Sequence, residues 1–275
     1  MVEEKQGVTS AAVPLTGNGP GTLTQESLDG FRESFGGDTT KRLMQNVVTQ
    51  RDVNEVALNR SIVTEAPHTF STLLDDWPVT NQARSGRCWM FAGLNVCRVD
   101  TRKQLNVKDF EFSQNYVMFW DKLERANYVL EAVVETADRP LDDRTVSWLL
   151  SRPMQDGGQW EMFTGLVKKH GVVPKSAMTE TESSSNTARM NANLNYQMRQ
   201  GAKKIRDAYT NEAGLDELRG IKNDVLQVIY HILCIHLGTP PAVVDWQWKD
   251  KDGDFSRDGV MTPQEFAQKY ITTPL

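Results

Sequence analysis

One stretch limits what this chain can become. Pro78 to Arg98 reads Pro-Val-Thr-Asn-Gln-Ala-Arg-Ser-Gly-Arg-Cys-Trp-Met-Phe-Ala-Gly-Leu-Asn-Val-Cys-Arg. Pro78 favours an extended run before it, and Gly86 supplies the freedom a sharp turn at Ser85-Gly86 needs. A helix is expected to open at Cys88. A cysteine in the first turn of a helix faces unpaired backbone N–H groups and the positive end of the macrodipole. Both favour the thiolate, the nucleophilic form. Gln82 lies six residues earlier, where its amide is placed to meet an oxyanion formed by attack from Cys88. A nucleophile beside preorganised donors is what acyl transfer asks for. Taken alone, Cys88 reads equally well as a buried structural cysteine.

Gln82 with Ser-Gly-Arg-Cys88-Trp89-Met-Phe91-Ala resembles the active-site segment of papain-like cysteine proteases, of the form Cys-Gly-Ser/Ala-Cys-Trp. The pattern is closest to the bleomycin hydrolase (cysteine aminopeptidase) branch. Three more segments carry that resemblance: Phe112-Ser-Gln-Asn-Tyr-Val-Met-Phe-Trp-Asp-Lys-Leu-Glu-Arg-Ala-Asn-Tyr128, Asp156-Gly-Gly-Gln-Trp160 and His170-Gly-Val-Val-Pro174. It extends from about Leu43 to the C-terminus. The resemblance implies an α+β papain-like fold, with a helical domain bearing Cys88 and a strand-rich second domain largely missing. It makes Cys88 the nucleophile and Gln82 an oxyanion donor, and it makes Gly157 and Gly158 the cleft edge that pairs with substrate backbone. Glycine suits that edge because a peptide approaches bare backbone closely. It also implies an intracellular aminopeptidase, forming a thioester on peptide substrates and on the bleomycin amide, and assembled as a homohexamer around an internal channel. The family's own C-terminal tail partly fills each cleft. No cofactor and no metal are called for.

Composition is consistent with this. A hydrophobic share of 39% and a charged share of 24% suit a soluble protein with a sizeable core. The net charge of −5 argues against a surface basic overall. Lys168-Lys169 and Lys203-Lys204 read as solvated helix faces rather than a nucleic-acid site. The longest apolar stretch, Val225 to Leu237, is too short and too interrupted to span a bilayer. The first residues lack the apolar core of a secretory signal, and Glu3 and Glu4 do not suit a transit peptide. Secreted papain-like enzymes carry a disulfide-forming cysteine three residues before the nucleophile, where Ser85 stands here. With only three cysteines, Cys88, Cys97 and Cys234, this points to a reducing compartment, and the resemblance implies a cytoplasmic one. Cys97 falls on the opposite face of the Cys88 helix, about 13 Å away, so those two are not bridged. Cys97 and Cys234 are expected to be packing residues.

Residues 1–22 are rich in Gly, Thr and Pro and read as a disordered tail. Helical signals begin near Thr24 and recur from Asp38 to Gln50, with Asp38 as N-cap. Glu55 to Phe70 is left unassigned, His68 within it, beside Pro67, being read as a surface or turn residue rather than a catalytic one. A helix from Cys88 to about Gln104 offers Phe91, Leu94 and Val99 to the core. Ser113 caps a long helix to about Thr136, with Val117, Phe119, Trp120, Leu123, Leu130, Val133 and Val134 on its apolar face. Another helix runs from Asp142 to Leu150, and one from the Asp156–Trp160 turn to Lys169, ended by Gly171. Thr179 to Gln197 reads as a loop. Helices follow over Met198–Asn211 and Leu215–Leu237. The expected divisions are 23–178 for the helical domain, 179–238 for a linker and helical insertion, and 239–275 for the start of the second domain.

The base that such chemistry needs is not evident. His231 and His236 fall in the spacing window of compact papain-like enzymes, yet both sit on a helix and read as surface histidines. His170 is read as a helix C-terminal partner. No His-Ala pair and no Asn-Ser-Trp occur in the sequence. The chain therefore reads as the N-terminal part of such an enzyme, and a non-catalytic binding or assembly partner is the rival reading. Asp254-Phe-Ser256-Arg-Asp258-Gly259-Val260-Met-Thr262-Pro-Gln-Glu265 fits an EF-hand loop by residue type. The alternating Pro240–Trp248 before it reads as a strand instead, so the segment is expected to be a hairpin turn. A short helix should then open at Thr262.

Overall fold

The computed structural model describes residues 22–67, 69–72 and 78–275. The tail, apart from Thr22, and His68 lie outside the described residues. The chain falls into two compact units, Met1–Leu74 and Asp75–Leu275.

The first unit holds four short helices: α1 (Gln25–Gly36), α2 (Thr39–Val48), α3 (Val53–Val56) and α4 (Arg60–Glu65). Each starts on a polar cap. Thr24, Asp38, Asp52 and Asn59 accept hydrogen bonds from the backbone N–H groups of the first turn, which would otherwise lack partners. None of these helices buries a residue, and Phe31, Leu43 and Ile62 are exposed. Glu55 to Phe70, unassigned from sequence, contains α4 and the end of α3.

The second unit carries the core. Its helices are α5 (Cys88–Leu105), α6 (Gln114–Glu135), α7 (Arg144–Ser151), α8 (Trp160–His170), α9 (Glu182–Ser185), α10 (Ala188–Thr210), α11 (Leu215–Leu237) and α12 (Pro263–Tyr270). The long helix α6 forms as its pattern requires. Ser113 accepts from the Tyr116 N–H at its start, and a seam of Met118, Phe119, Ala126, Leu130 and Val133 is buried. Helices α10 and α11 pack against α6 and each other. Gly201 lets α10 approach α11, since a Cβ there would lie 2.7 Å from Val225 Cγ1. The loop expected over Thr179–Gln197 is mostly helix. Met190 and Leu194 are fully buried at helical spacing and anchor the start of α10. Asn191 and Asn193 between them, and the Thr/Ser-rich run before Met190, hide that stripe in the sequence.

The C-terminal segment is a hairpin followed by a helix. Strand β1 (Val244–Lys249) pairs antiparallel with β2 (Phe255–Met261). Trp246 opposes Gly259 and Gln247 opposes Arg257, so Asp258 is an extra, bulged residue beside Gly259 at φ 82°. Asp258 bonds the Tyr270 hydroxyl and pairs with Lys269 at 2.6 Å on α12. Thr262 and Glu265 form a reciprocal capping box, with Pro263 in the first turn of α12. The turn itself is Asp250–Asp254. The EF-hand-like residues after it form a strand and a cap, and their carboxylates are already engaged. Among the described residues no cluster of metal-ligating side chains occurs, and no helix is long and apolar enough to cross a membrane.

Candidate active site

Cys88 is the first residue of α5 and is exposed. It is the one described cysteine that solvent reaches freely. Cys97 is fully buried in the core, where burial pushes its thiol up to about 11. Cys234 is half-buried against that core. The buried seam of α5 runs Met90, Leu94, Cys97, Thr101 and Leu105, so Val99, an expected core residue, is only half-buried.

The loop before Cys88 is held from below. Ser85 Oγ donates to the Gln82 carbonyl at 2.7 Å and accepts from Arg87 Nε at 2.8 Å. Arg87 is 1% exposed, forks onto Glu180 at 3.0 and 2.7 Å, and lies 5.1 Å from the Phe91 ring centre. Arg84 pairs with the chain at Ser185–Thr187, its N–H donating to Ser185 O at 2.8 Å. At the upper end Asn95 Nδ2 donates to Thr80 Oγ1 at 2.8 Å. Between these ties Ala83 has φ 52°, with its N–H donating to Asn81 Oδ1 at 2.7 Å. A left-handed alanine costs on the order of 1–2 kcal/mol, which the surrounding ties hold in place. Gln82, next to it, is half-buried, and its Oε1 has no hydrogen-bond partner.

Gly157 and Gly158 lie beside α5. Trp89, the residue after Cys88, donates from Nε1 to Asp156 O at 2.8 Å. A Cβ on Gly158 would sit 2.5 Å from the Trp89 ring, and one on Gly86 would sit 2.5 Å from Asp156 Cβ. The Gly-Gly segment and the cysteine turn are therefore in contact at two points, each of which excludes a side chain. Arg125 donates to the Gly157 carbonyl and stands 5.8 Å from the Trp89 ring centre. Asp156 accepts from Lys122 Nζ at 2.5 Å, Asn191 Nδ2 at 2.8 Å and Thr187 Oγ1 at 3.0 Å. Burial raises the Asp156 carboxyl, but the Lys122 charge and these three bonds outweigh it and hold it below its ordinary value.

Two of the three described histidines are engaged elsewhere. His170 ends α8, stacks on Trp120 at 4.2 Å and bonds Glu124 at 2.8 Å. Burial lowers its pKa, with Glu124 opposing. His236 Nδ1 pairs with Ser183 Oγ at 2.7 Å, and His231 is exposed on α11. None of the three bonds Cys88. The buried ionic residues Arg87, Lys122 and Asp121 were not singled out from sequence. For Lys122 a signal exists: it lies three residues after buried Phe119 and four before buried Ala126, in the middle of the core stripe of α6.

Comparison with known proteins shows what the chain is similar to. A model of the Peptidase C1-like family matches residues 22–275. Aminopeptidase C of Listeria monocytogenes is 41% identical over 253 residues, covering 92% of this chain and 57% of that protein. Human bleomycin hydrolase is 38% identical over 253 residues, covering 90% of this chain and 56% of its own length. The chain thus spans a little over half the length of these relatives. The crystal structure of PepW from Lactobacillus rhamnosis superposes with a TM-score of 0.83 at 40% identity, over 92% of this chain and 57% of that one. The helical, Cys-bearing part of a papain-like fold, the cysteine at a helix start and the match across 22–275 lead to one statement: the chain belongs to the Peptidase C1-like family.

Proposed function

We propose that this chain supplies the nucleophile and part of the substrate cleft of a cysteine-type aminopeptidase. One observation carries the reading: the exposed Cys88 opens α5 while Gly158 packs against the adjacent Trp89. An exposed thiol beside a strip of bare backbone supports a nucleophile and a backbone-pairing edge for a peptide amide. The Cys88 thiolate attacks the substrate carbonyl carbon, and the tetrahedral intermediate collapses to a thioester as the C–N bond breaks and the protonated amine leaves. Gln82 and the Cys88 backbone N–H stabilise the oxyanion. Gly157 and Gly158 hold the substrate backbone, and water then releases the acid. The names of the relatives, aminopeptidase C and bleomycin hydrolase, favour peptide N-termini and the bleomycin amide as substrates. A homohexamer in the cytoplasm belongs to the same reading, as does 239–275 as the start of a strand-rich second domain.

The proton taken from Cys88, and its return to the leaving amine, need a base. His170 and His236 bond other partners and His231 is exposed on α11 without bonding Cys88, so this reading assigns that role, and the amide that orients it, to the part of the relatives' length that this chain does not span. A non-catalytic binding or assembly partner is the second reading, favoured by the absence of any described histidine on Cys88. The protein purified from its source cells separates the two. Cleavage of an aminoacyl fluorogenic amide, abolished by Cys88→Ala, is expected. Full activity in the Ala variant would overturn the cysteine mechanism, and no cleavage by the native protein would favour the binding role.

A further inference from the structure

The catalytic reading leaves unexplained why a lysine is buried beneath the glycine edge. Lys122 is 1% exposed and occupies a core position of α6, where Met or Leu would fill the stripe at no electrostatic cost. Burying an ammonium ion costs several kcal/mol unless geometry and hydrogen bonds compensate. Here Nζ donates to Gln155 O at 2.8 Å and to Asp156 Oδ1 at 2.5 Å, two adjacent residues of one loop. That loop, between α7 and α8, has no secondary structure of its own to set its position. Asp156 continues the connection. It takes bonds from Thr187 and Asn191 near the start of α10, while its carbonyl takes the Trp89 indole N–H of α5. Gly86 leaves the space that the Asp156 Cβ enters. Three helices are thereby tied to the residue immediately before Gly157 and Gly158.

We propose that Lys122 and Asp156 are positioning residues that set the separation between the Cys88 thiol and the Gly157–Gly158 peptide edge. The pair touches neither substrate nor thiol. It acts through the loop, and the proposal rests on the reading of that edge as a peptide-binding strip. An apolar residue at 122 would fill the core but would give the loop no directed donor.

The test compares two electrophiles on Cys88: a dipeptidyl vinyl sulfone, which must align along the edge, and methyl vinyl sulfone, which needs only a reachable thiol. The ratio of their rate constants reads the edge independently of thiol access. In the wild-type chain the peptidyl reagent is expected to react at least tenfold faster, and Gly158→Ala should reduce that preference. The double variant Lys122→Met/Asp156→Asn, which leaves no unpaired buried charge, should lower the ratio at least fivefold. Its methyl vinyl sulfone rate should stay within twofold and its circular dichroism should be unchanged. If the double variant does not fold, Thr187→Val, which removes one bond to Asp156, is held to the same direction of change. An unchanged ratio alongside a Gly158→Ala effect would overturn the positioning role and leave the edge reading intact. Equal loss of both rates would reduce the pair to general support and also overturn it. No wild-type preference, or none sensitive to Gly158→Ala, would remove the edge reading and the proposal with it.

Discussion

Asp121 shows how burial and charge compete at a single side chain. It is 2% exposed, and Oδ1 accepts from Arg125 Nε at 2.8 Å while Oδ2 has no partner. Burial pushes its carboxyl up to about 6, and Arg125 and Lys122 pull against that rise without cancelling it. A carboxyl with a folded pKa above its unfolded value of 3.8 favours the folded state most below pH 4. That contribution is lost as pH rises through about 6. Asp121→Asn carries no such loss. The stability of the variant minus that of the wild type is therefore expected to increase between pH 4 and 7, by up to about 3 kcal/mol. Melting curves at four pH values measure it. A difference independent of pH would show that Asp121 ionises normally. Arg125 connects this residue to the site, since the same guanidinium holds the Gly157 carbonyl. Nothing in the sequence separates Asp121 from an ordinary surface aspartate.

At the level of elements, the cysteine helix and α8, which begins just after the glycine edge, meet through Gly93. A Cβ there would lie 2.7 Å from Phe163 Cδ1 and Cε1, and Phe163 is itself 1% exposed. Gly93→Ala gains about 1 kcal/mol of helix propensity. Overpacking against a buried ring costs about 1–3 kcal/mol, so a net loss of stability is expected, read as a lower denaturant midpoint. A higher midpoint would mean that the two helices separate freely. Caps and periods made most elements legible: Ser113 for α6, Thr262 for α12 and Gly171, at φ 72°, for the end of α8. Gly171 is required twice over, because a Cβ would also collide with the Pro263 carbonyl. The first half of α10 was not legible. Its buried residues Met190 and Leu194 stand among Asn, Ala and Arg, and only contact with α6 and α11 makes that weak stripe sufficient.

Across the whole molecule, a motif and a fold compete for the C-terminal acids, and the fold wins. Asp258 is committed to Lys269 and Tyr270, and Glu265 to the Thr262 cap. Calcium at millimolar concentration should therefore give no binding heat in calorimetry and no change in melting temperature. A saturable heat would require the hairpin to open into a loop of converging ligands. The sequence by itself determined the family and the order of its main helices, because turn glycines, caps and a 3.6-residue period act through neighbours a few positions away. It also singled out Cys88, Gln82 and the two glycines as candidates, since motif spacing survives in one dimension. What the tertiary structure alone decided is how those candidates are held. Lys122 and Asp156 are 34 residues apart, and Arg87 and Glu180 are 93 apart. Each becomes a partner only when packing removes water from between the helices. A buried charge acquires its role from what excludes solvent around it.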